Sequence, residues 1–146
     1  MSQFLDRIKE RAKTEKKTIV LAEGEELRTV QAADMVLKQG IANVILLGNE
    51  EKIKAHAVGL DISGAKIIDP EKAENLQDFA NTFYEMRKAK GMTPEKALET
   101  MKNTLYYGVM MVKQDLADGM VAGAVNATAN VLRPSLQILK TAPGTK

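Results

Sequence analysis

The residues best suited to chemistry lie near the end of the chain, in a run of small residues that follows an apolar, strand-like stretch. Residues 123–129 read GAVNATA, in which Asn126 and Thr128 supply hydrogen-bonding side chains and their small neighbours leave the backbone approachable. Further along the chain, Arg133 directly precedes Pro134. Backbone N–H groups and a guanidinium together favour an anion such as phosphate, which arginine grips with two hydrogen bonds.

The position of Arg133 is the main reason to expect a ligand there. Proline favours the first turn of a helix, so Arg133-Pro134 predicts a guanidinium close to a helix N-terminus. That end of a helix carries a positive partial charge, and a cation beside it is unfavourable unless an anion or an acidic residue lies nearby. The pattern leaves one alternative open, which is an arginine paired with an internal carboxylate beside a turn that binds nothing.

Arg87 is the second candidate anion ligand. It lies in FANTFYEMRKAKG, where an apolar stripe of Phe79, Phe83 and Met86 predicts a helix, and Arg87 flanks that stripe. The alternative is a charge that only contacts solvent, which is the usual state of an arginine.

Three glutamates precede Arg28, in AEGEELRTVQAA. Carboxylates at Glu23, Glu25 and Glu26 raise the question of a metal site, but no histidine or aspartate accompanies them at a suitable spacing. We therefore predict no metal, and an ion pair between Arg28 and one of these glutamates at the start of a helix.

Several kinds of chemistry are excluded by composition. Cysteine is absent, which removes disulfides, thiolate catalysis and cysteine-bound zinc. The single histidine, His56, ends a short helix-like stretch, which predicts a capping or surface role and rules out chemistry that needs two histidines. The aromatic and methionine stripe in LYYGVMMV is typical of a packed core.

Bulk properties favour one ordinary globular domain. The 146 residues are 45% hydrophobic and 27% charged with a net charge of +2, a balance that gives no reason to expect nucleic acid or a membrane surface as a partner. No apolar run approaches the about 18–20 residues of a membrane-spanning helix. The charged start of the chain is unlike a signal or transit peptide, and these features together predict a cytoplasmic protein.

Apolar runs alternate with amphipathic stretches along the chain. Strands are predicted over residues 18–22, 42–47, 66–70 and 120–124. Helices are predicted over about 2–16, between residue 26 and Gly40, over about 73–90, 94–100 and 104–116, in a short stretch that starts at Glu50, and in a last one through Leu136, Ile138 and Leu139. This order predicts an α/β fold with three layers, α/β/α, around a largely parallel sheet. Ligands bind such sheets at the carboxyl ends of the strands, where residues 23–26, 48–49 and 123–129 form loops. None of the three is a P-loop or a G-x-G-x-x-G loop.

Four stretches, in order, carry a family resemblance: KTIVLAEGEELRTVQAA, GIANVILLGNEEKIKA, FYEMRKAKG and DGMVAGAVNATANVLRPSLQILKTAPG. Together they resemble the N-terminal part of the phosphate acetyltransferase (phosphotransacetylase) family over nearly the whole chain. The resemblance implies reversible acetyl transfer between acetyl-CoA and phosphate, giving acetyl phosphate and CoA. It implies a cytoplasmic homodimer without a bound cofactor or metal, for which coenzyme A is a substrate and nucleic acid and membranes are not partners.

The resemblance also assigns roles to residues. Two family arginines fall on Arg87 and Arg133, which would bind substrate together with Gly123, Asn126 and Thr128, and Arg133 would also have a catalytic role by stabilising negative charge. Many relatives carry His-Ser-Thr where this chain has Asn-Ala-Thr at residues 126–128.

The family architecture is two α/β domains of the isocitrate/isopropylmalate dehydrogenase type with the active site in the cleft between them. Residues 1–146 would be the first domain, the second being absent from this chain, so the catalytic base and most contacts to CoA would lie beyond Lys146. The chain alone would then be an inactive fragment with exposed apolar surface.

The alternatives are a phosphate butyryltransferase-like enzyme and a stand-alone α/β module that binds phosphate or CoA without catalysis.

Overall fold

A parallel four-stranded sheet forms the centre of the computed structural model, which describes residues 3–140. The strands are β1 (Lys17–Leu21), β2 (Ala42–Leu47), β3 (Lys66–Ile68) and β4 (Gly119–Val121). Their spatial order is β3-β2-β1-β4, with every neighbouring pair parallel. The predicted α/β fold and parallel sheet are confirmed, although β3 and β4 are shorter than the sequence suggested.

Seven α-helices connect and cover these strands within the described part of the chain. They are α1 (Gln3–Thr14), α2 (Leu27–Gln39), α3 (Glu50–Ala55), α4 (Leu76–Arg87), α5 (Pro94–Met101), α6 (Thr104–Lys113) and α7 (Thr128–Pro134). Short 3₁₀ turns at Pro70–Lys72 and Lys88–Lys90 flank α4. Helix ends follow the local signals, because Asn49 and Thr93 cap α3 and α5 with their side chains and His56 is the C-terminal cap of α3.

The two faces of β2 show how the sheet becomes the middle of three layers. Val44 and Leu46 pack with residues of α2 and α3, whereas Ile45 and Leu47 pack with residues of α4, α5 and α6. Successive side chains of a strand point to opposite faces, so one apolar strand is buried from both sides. The three-layer α/β/α arrangement is therefore confirmed; the kinship with dehydrogenase domains stays a prediction.

Two apolar helix faces are left open to solvent. No residue of α1 is buried, and Phe4 on its predicted apolar face is 67% exposed. Leu132 and Leu136, near the end of the described chain, are likewise exposed. Ser2, a residue type that often caps a helix and that the sequence places just before α1, lies outside the described residues. Every helix within residues 3–140 is too short or too polar to span a bilayer.

The expected start of the last helix is wrong. The helix begins at Thr128, so Pro134 is the last residue of α7 and Arg133 lies in its final turn. Proline lacks an N–H and its ring crowds the preceding turn, and the chain continues as a π-helical segment over Ser135–Leu139. Arg133 therefore lies inside a continuous helical segment over residues 128–139 and not at a helix N-terminus, so the repulsion by the positive end of a helix that suggested a ligand is removed.

Replacing Gly24 with alanine tests how closely the end of β1 is joined to β2. The Gly24 N–H donates to the carbonyl oxygen of Leu47 at 3.1 Å, and a Cβ at Gly24 would lie 2.6 Å from that oxygen. The Leu47 oxygen belongs to the backbone and cannot turn away as a flexible side chain could. We therefore expect Gly24→Ala to lower the free energy of unfolding by about 1–3 kcal/mol in urea titrations. Gly119→Ala is the control, because its Cβ would meet Ile19 at an ordinary 3.5 Å. Equal effects of the two substitutions would contradict the close approach.

Candidate functional site

Glu23 occupies the centre of the loop that follows β4. The N–H groups of Gly123 and Ala124 donate to its Oε1 at 2.6 and 2.7 Å. Its Oε2 accepts from the N–H groups of Val125 and Asn126 and from Asn126 Nδ2, each at 2.9 Å. In this structure the loop therefore binds a carboxylate of the protein itself, and the external anion that the sequence predicted, such as phosphate, stays a prediction.

The hydrogen bonds decide the charge state of this carboxyl group. Glu23 is only 7% exposed, and burial by itself would raise its pKa because it disfavours the charged form. The donors from Val125, Ala124 and Asn126 outweigh burial and lower the pKa from 4.5 to about 2. Glu23 is thus ionised at neutral pH, and its charge is neutralised by loop dipoles rather than by a cation.

The other two glutamates of the segment after β1 have separate partners. Glu25 accepts from the N–H of Asn49 at 2.8 Å and lies 3.7 Å from Lys52 Nζ. Glu26 lies 3.3 Å from Arg28 Nε, which confirms the predicted ion pair. Among residues 3–140 no three acidic or histidine side chains are grouped to hold a metal ion.

Arg28 adds a second connection to the same loop. Its Nη2 donates to the carbonyl oxygen of Ala124 at 2.6 Å, while its Nε contacts Glu26. Glu23 thus holds the N–H groups of the loop, and Arg28 holds a carbonyl of it. Together they fix both polar sides of the loop backbone to the segment that follows β1.

The tertiary structure brings Arg87 and Arg133 to one place, around Tyr106. The Tyr106 hydroxyl donates to Gln137 Oε1 at 3.1 Å, and its ring meets that of Phe83 edge-on with centroids 5.7 Å apart. Burial raises the pKa of Tyr106, and the positive charges of Arg133 and Arg87 partly oppose that rise. Both guanidinium groups therefore act on the same hydroxyl, although their residues are far apart in sequence.

Neither arginine has a counter-charge within the described part of the chain. The side chains of Arg87 and Arg133 make no hydrogen bond or ion pair among residues 3–140. Pairing of Arg133 with an internal carboxylate, the alternative that the sequence left open, is therefore not seen among residues 3–140. Two cations that act on one hydroxyl without an acidic neighbour form a positive surface suited to an anionic ligand.

The predicted site residues thus fall into two groups. Arg87 and Arg133 form the positive surface, whereas Gly123 and Asn126 direct their N–H groups at Glu23. Thr128 belongs to neither group. It is exposed at the first position of α7, between Asn126 and Arg133 in sequence.

Sequence reasoning missed three residues of this arrangement. Tyr106 was assigned to the core, and Gln137 and Glu23 were given no site role. Glu23 carried a usable signal, because a carboxylate placed directly after a buried strand must find donors at the sheet edge. Nothing in the local pattern marks Tyr106 or Gln137, which meet across elements that are distant in sequence.

Comparison with known proteins identifies the family. Residues 3–146 match the family described as "Phosphate acetyl/butaryl transferase". The chain belongs to this family. It is 62% identical over 143 residues to a phosphate acetyltransferase of Acetivibrio thermocellus, covering 98% of this chain and 43% of the relative. A phosphate acetyltransferase of Thermoanaerobacterium thermosaccharolyticum is 58% identical, with 98% of this chain and 44% of the relative covered.

Solved structures of phosphotransacetylases share the fold. A phosphotransacetylase from Streptococcus pyogenes superposes with a TM-score of 0.92 at 35% identity, covering 100% of this chain and 45% of that one. The EutD phosphotransacetylase from Staphylococcus aureus gives a TM-score of 0.88 at 38% identity, covering 97% and 43%. The present chain thus spans less than half the length of these two phosphotransacetylases and of the two curated relatives.

The bonds to Glu23 predict a pH dependence of stability. Its pKa is lowered from 4.5 to about 2 on folding, so its contribution is complete above about pH 4.5 and is lost as the pH falls towards 2. We expect this loss to be roughly 2 kcal/mol, after allowance for solvent near the loop. Unfolding free energies measured between about pH 6 and 2.5 should therefore fall more for the unaltered protein than for Glu23→Gln.

The matched control for that measurement is Glu74→Gln. Glu74 is exposed and makes no hydrogen bond or ion pair among the described residues. Its variant should follow the pH dependence of the unaltered protein. A Glu23→Gln variant that also follows it would show that the loop does not hold the charged form.

Proposed function

We propose that the full-length protein transfers an acetyl group reversibly between CoA and phosphate: acetyl-CoA + phosphate ⇌ acetyl phosphate + CoA. The observation that carries the proposal is the pair of arginines, Arg87 and Arg133, that act on Tyr106 and have no counter-charge among residues 3–140. CoA, phosphate and acetyl phosphate are all anions that such a pair would bind. Membership of the family and the names of the curated relatives supply the reaction.

In the proposed mechanism the thiolate of CoA attacks the carbonyl carbon of acetyl phosphate. The new C–S bond forms through a tetrahedral intermediate, the C–O bond to the phosphoryl group breaks, and phosphate leaves with the electron pair. Arg133 stabilises the negative charge that develops on the reacting groups, and Arg87 binds a phosphate group of CoA. The base that takes the thiol proton belongs to the part of the protein beyond residue 146.

The loop residues have a different part in this proposal. Thr128, exposed at the start of α7, is a hydrogen-bonding group available to the phosphate. Gly123 and Asn126 form the wall of the substrate site, and their N–H groups hold Glu23. Tyr106 is protonated at neutral pH, as an ordinary tyrosine is, and burial raises its pKa further, so it donates to Gln137 without adding a negative charge near the arginines.

We also propose that residues 1–146 are the first of two domains in a cytoplasmic homodimer, with CoA as substrate and no bound cofactor, nucleic acid or membrane partner. The length of the relatives supports the domain arrangement, since this chain spans 43% of one and 44% of another. The open apolar faces at Phe4 and Leu136, which are 67% and 59% exposed, are suited to burial against the missing part.

The reaction is tested by thioester formation from acetyl phosphate and CoA. We expect activity from the protein extended to the full length of its relatives and none from the 146-residue chain, because the second domain supplies the base. Butyryl phosphate in place of acetyl phosphate distinguishes a butyryltransferase. If the extended protein binds CoA but transfers neither acyl group, the protein is a binding module and the proposed function is wrong.

Substitution of the arginines tests their assignment in the extended protein. We expect Arg133→Ala to lower kcat by about 100-fold, as loss of one charge-stabilising donor does. Arg87→Ala should raise the KM for CoA or lower kcat by about tenfold, the effect of losing about 1.4 kcal/mol of binding.

Lys113→Ala is the control for both arginine variants. Lys113 is an exposed cation at the end of α6, the helix that carries Tyr106, and makes no ion pair among residues 3–140. Its kinetics should match those of the unaltered protein. If the two arginine variants also have the kinetics of the unaltered protein and an unchanged circular dichroism spectrum, then both arginines contact only solvent and their assignment is wrong.

A further inference from the structure

We infer that Glu23 is a positioning residue for the proposed transfer: its carboxylate fixes the loop over residues 123–126 and thereby sets where α7 presents Arg133. The inference rests on the proposed function for the role of Arg133. It depends on the hydrogen bonds between Glu23 and the loop and on the short connection from the loop to α7. Glu23 itself touches no reacting atom in this proposal.

The first step is that Glu23 has a fixed reference in the sheet. It follows β1, the strand that pairs with both β2 and β4. The next residue, Gly24, donates its N–H to the carbonyl oxygen of Leu47 at the end of β2. Glu23 is therefore held on both sides by backbone, and its side chain reaches from the centre of the sheet to the loop after β4.

The second step is that the N–H groups of the loop depend on Glu23, because the other polar connection from the segment after β1, from Arg28 Nη2, goes to the carbonyl oxygen of Ala124. Gly123 has a φ of +113°, a backbone conformation that favours glycine. It is exposed, and a Cβ at this position would meet no other atom within 4 Å. Four successive N–H groups, of residues 123–126, converge on one carboxylate. Without that acceptor the four N–H groups would lose their common partner, and water would have to replace it in a conformation that nothing else among the described residues draws together.

The third step connects the loop to the arginine. Ala127 is the N-cap of α7 and supplies no side-chain cap, so the start of the helix depends on the loop before it. Arg133 lies in the final turn of this short helix. At the other end, Gln137 accepts from Tyr106. The helix is therefore fastened at its beginning through Glu23 and beyond its end through Tyr106, and Arg133 lies between these two points.

The substitution that isolates the effect is Glu23→Gln, which keeps the size of the side chain. Oε2 accepts three of the bonds, from Val125 N, Asn126 N and Asn126 Nδ2. An amide NH₂ at that position would direct donors at donors, so the loop must move. Glu25→Gln is the matched control, because it makes the same change in the same segment but its carboxylate binds Asn49 and Lys52, on the β2 side.

The test is a double-mutant cycle in the full-length protein, with kcat/KM for CoA as the readout. We expect Glu23→Gln to lower kcat/KM by about tenfold or more, and to add less than about twofold in the Arg133→Ala background, because both changes remove the same placed guanidinium. Glu25→Gln should leave kcat/KM unchanged in either background. Fully additive effects of Glu23→Gln and Arg133→Ala, or equal losses in the two glutamine variants, would overturn the inference.

Chemical rescue covers the case in which Glu23→Gln does not fold. Glu23→Ala removes the carboxylate and leaves the loop donors free, so formate can supply the missing anion. We expect formate to restore kcat/KM at least tenfold relative to chloride at the same ionic strength, with no effect on the Arg133→Ala protein. Absence of recovery by formate would overturn the inference.

Failure of the proposed function is distinguishable from failure of the inference about Glu23. The proposed function fails if the unaltered full-length protein forms no thioester, whatever the variants do. In that event hydrogen exchange of the amides in residues 123–134 tests the positioning directly, since faster exchange through α7 in Glu23→Gln than in Glu25→Gln is expected. Equal exchange in the two variants would contradict the role of Glu23.

Discussion

The arrangement of the site depends on one buried interaction, the carboxylate of Glu23 within the N–H groups of residues 123–126. A buried carboxylate without donors and a set of converging N–H groups without an acceptor are each costly. Here each satisfies the other, so neither the segment after β1 nor the loop after β4 keeps its conformation alone. Glu25 makes the equivalent connection to Asn49 on the other side. The carboxyl ends of three neighbouring strands are thus joined by two carboxylates from one short segment.

This use of the loop changes where an external anion can bind. Because the N–H groups are occupied by Glu23, the recognition of phosphate that we propose depends on the side chains of Arg87 and Arg133. Arg87 lies in the last turn of α4, near the negative end of a helix, whereas Arg133 lies within the helical segment formed by α7 and Ser135–Leu139.

The helical cover of the sheet also bears on the proposed architecture. The faces of the sheet are buried by α2 and α3 on one side and by α4, α5 and α6 on the other. Apolar side chains at Phe4, Leu132 and Leu136 stay in solvent. The family's curated relatives are more than twice as long as this chain, and the remaining part of such a protein is a natural cover for these faces.

The sequence by itself determined the elements that depend on neighbouring residues. Apolar runs gave strands, Asn49 and Thr93 capped helices, and the alternation of strands with helices implied a parallel sheet with cover on both sides. It also marked Arg87, Arg133 and the loop at residues 123–129 as places for an anion. Only the tertiary structure decided which anion the loop holds, because Glu23 and Asn126 are about a hundred residues apart and meet through strand order. It likewise moved Arg133 away from the start of a helix and placed Tyr106 where the charges of both arginines act on its hydroxyl. These contacts join distant segments, and local propensity contains no information about them.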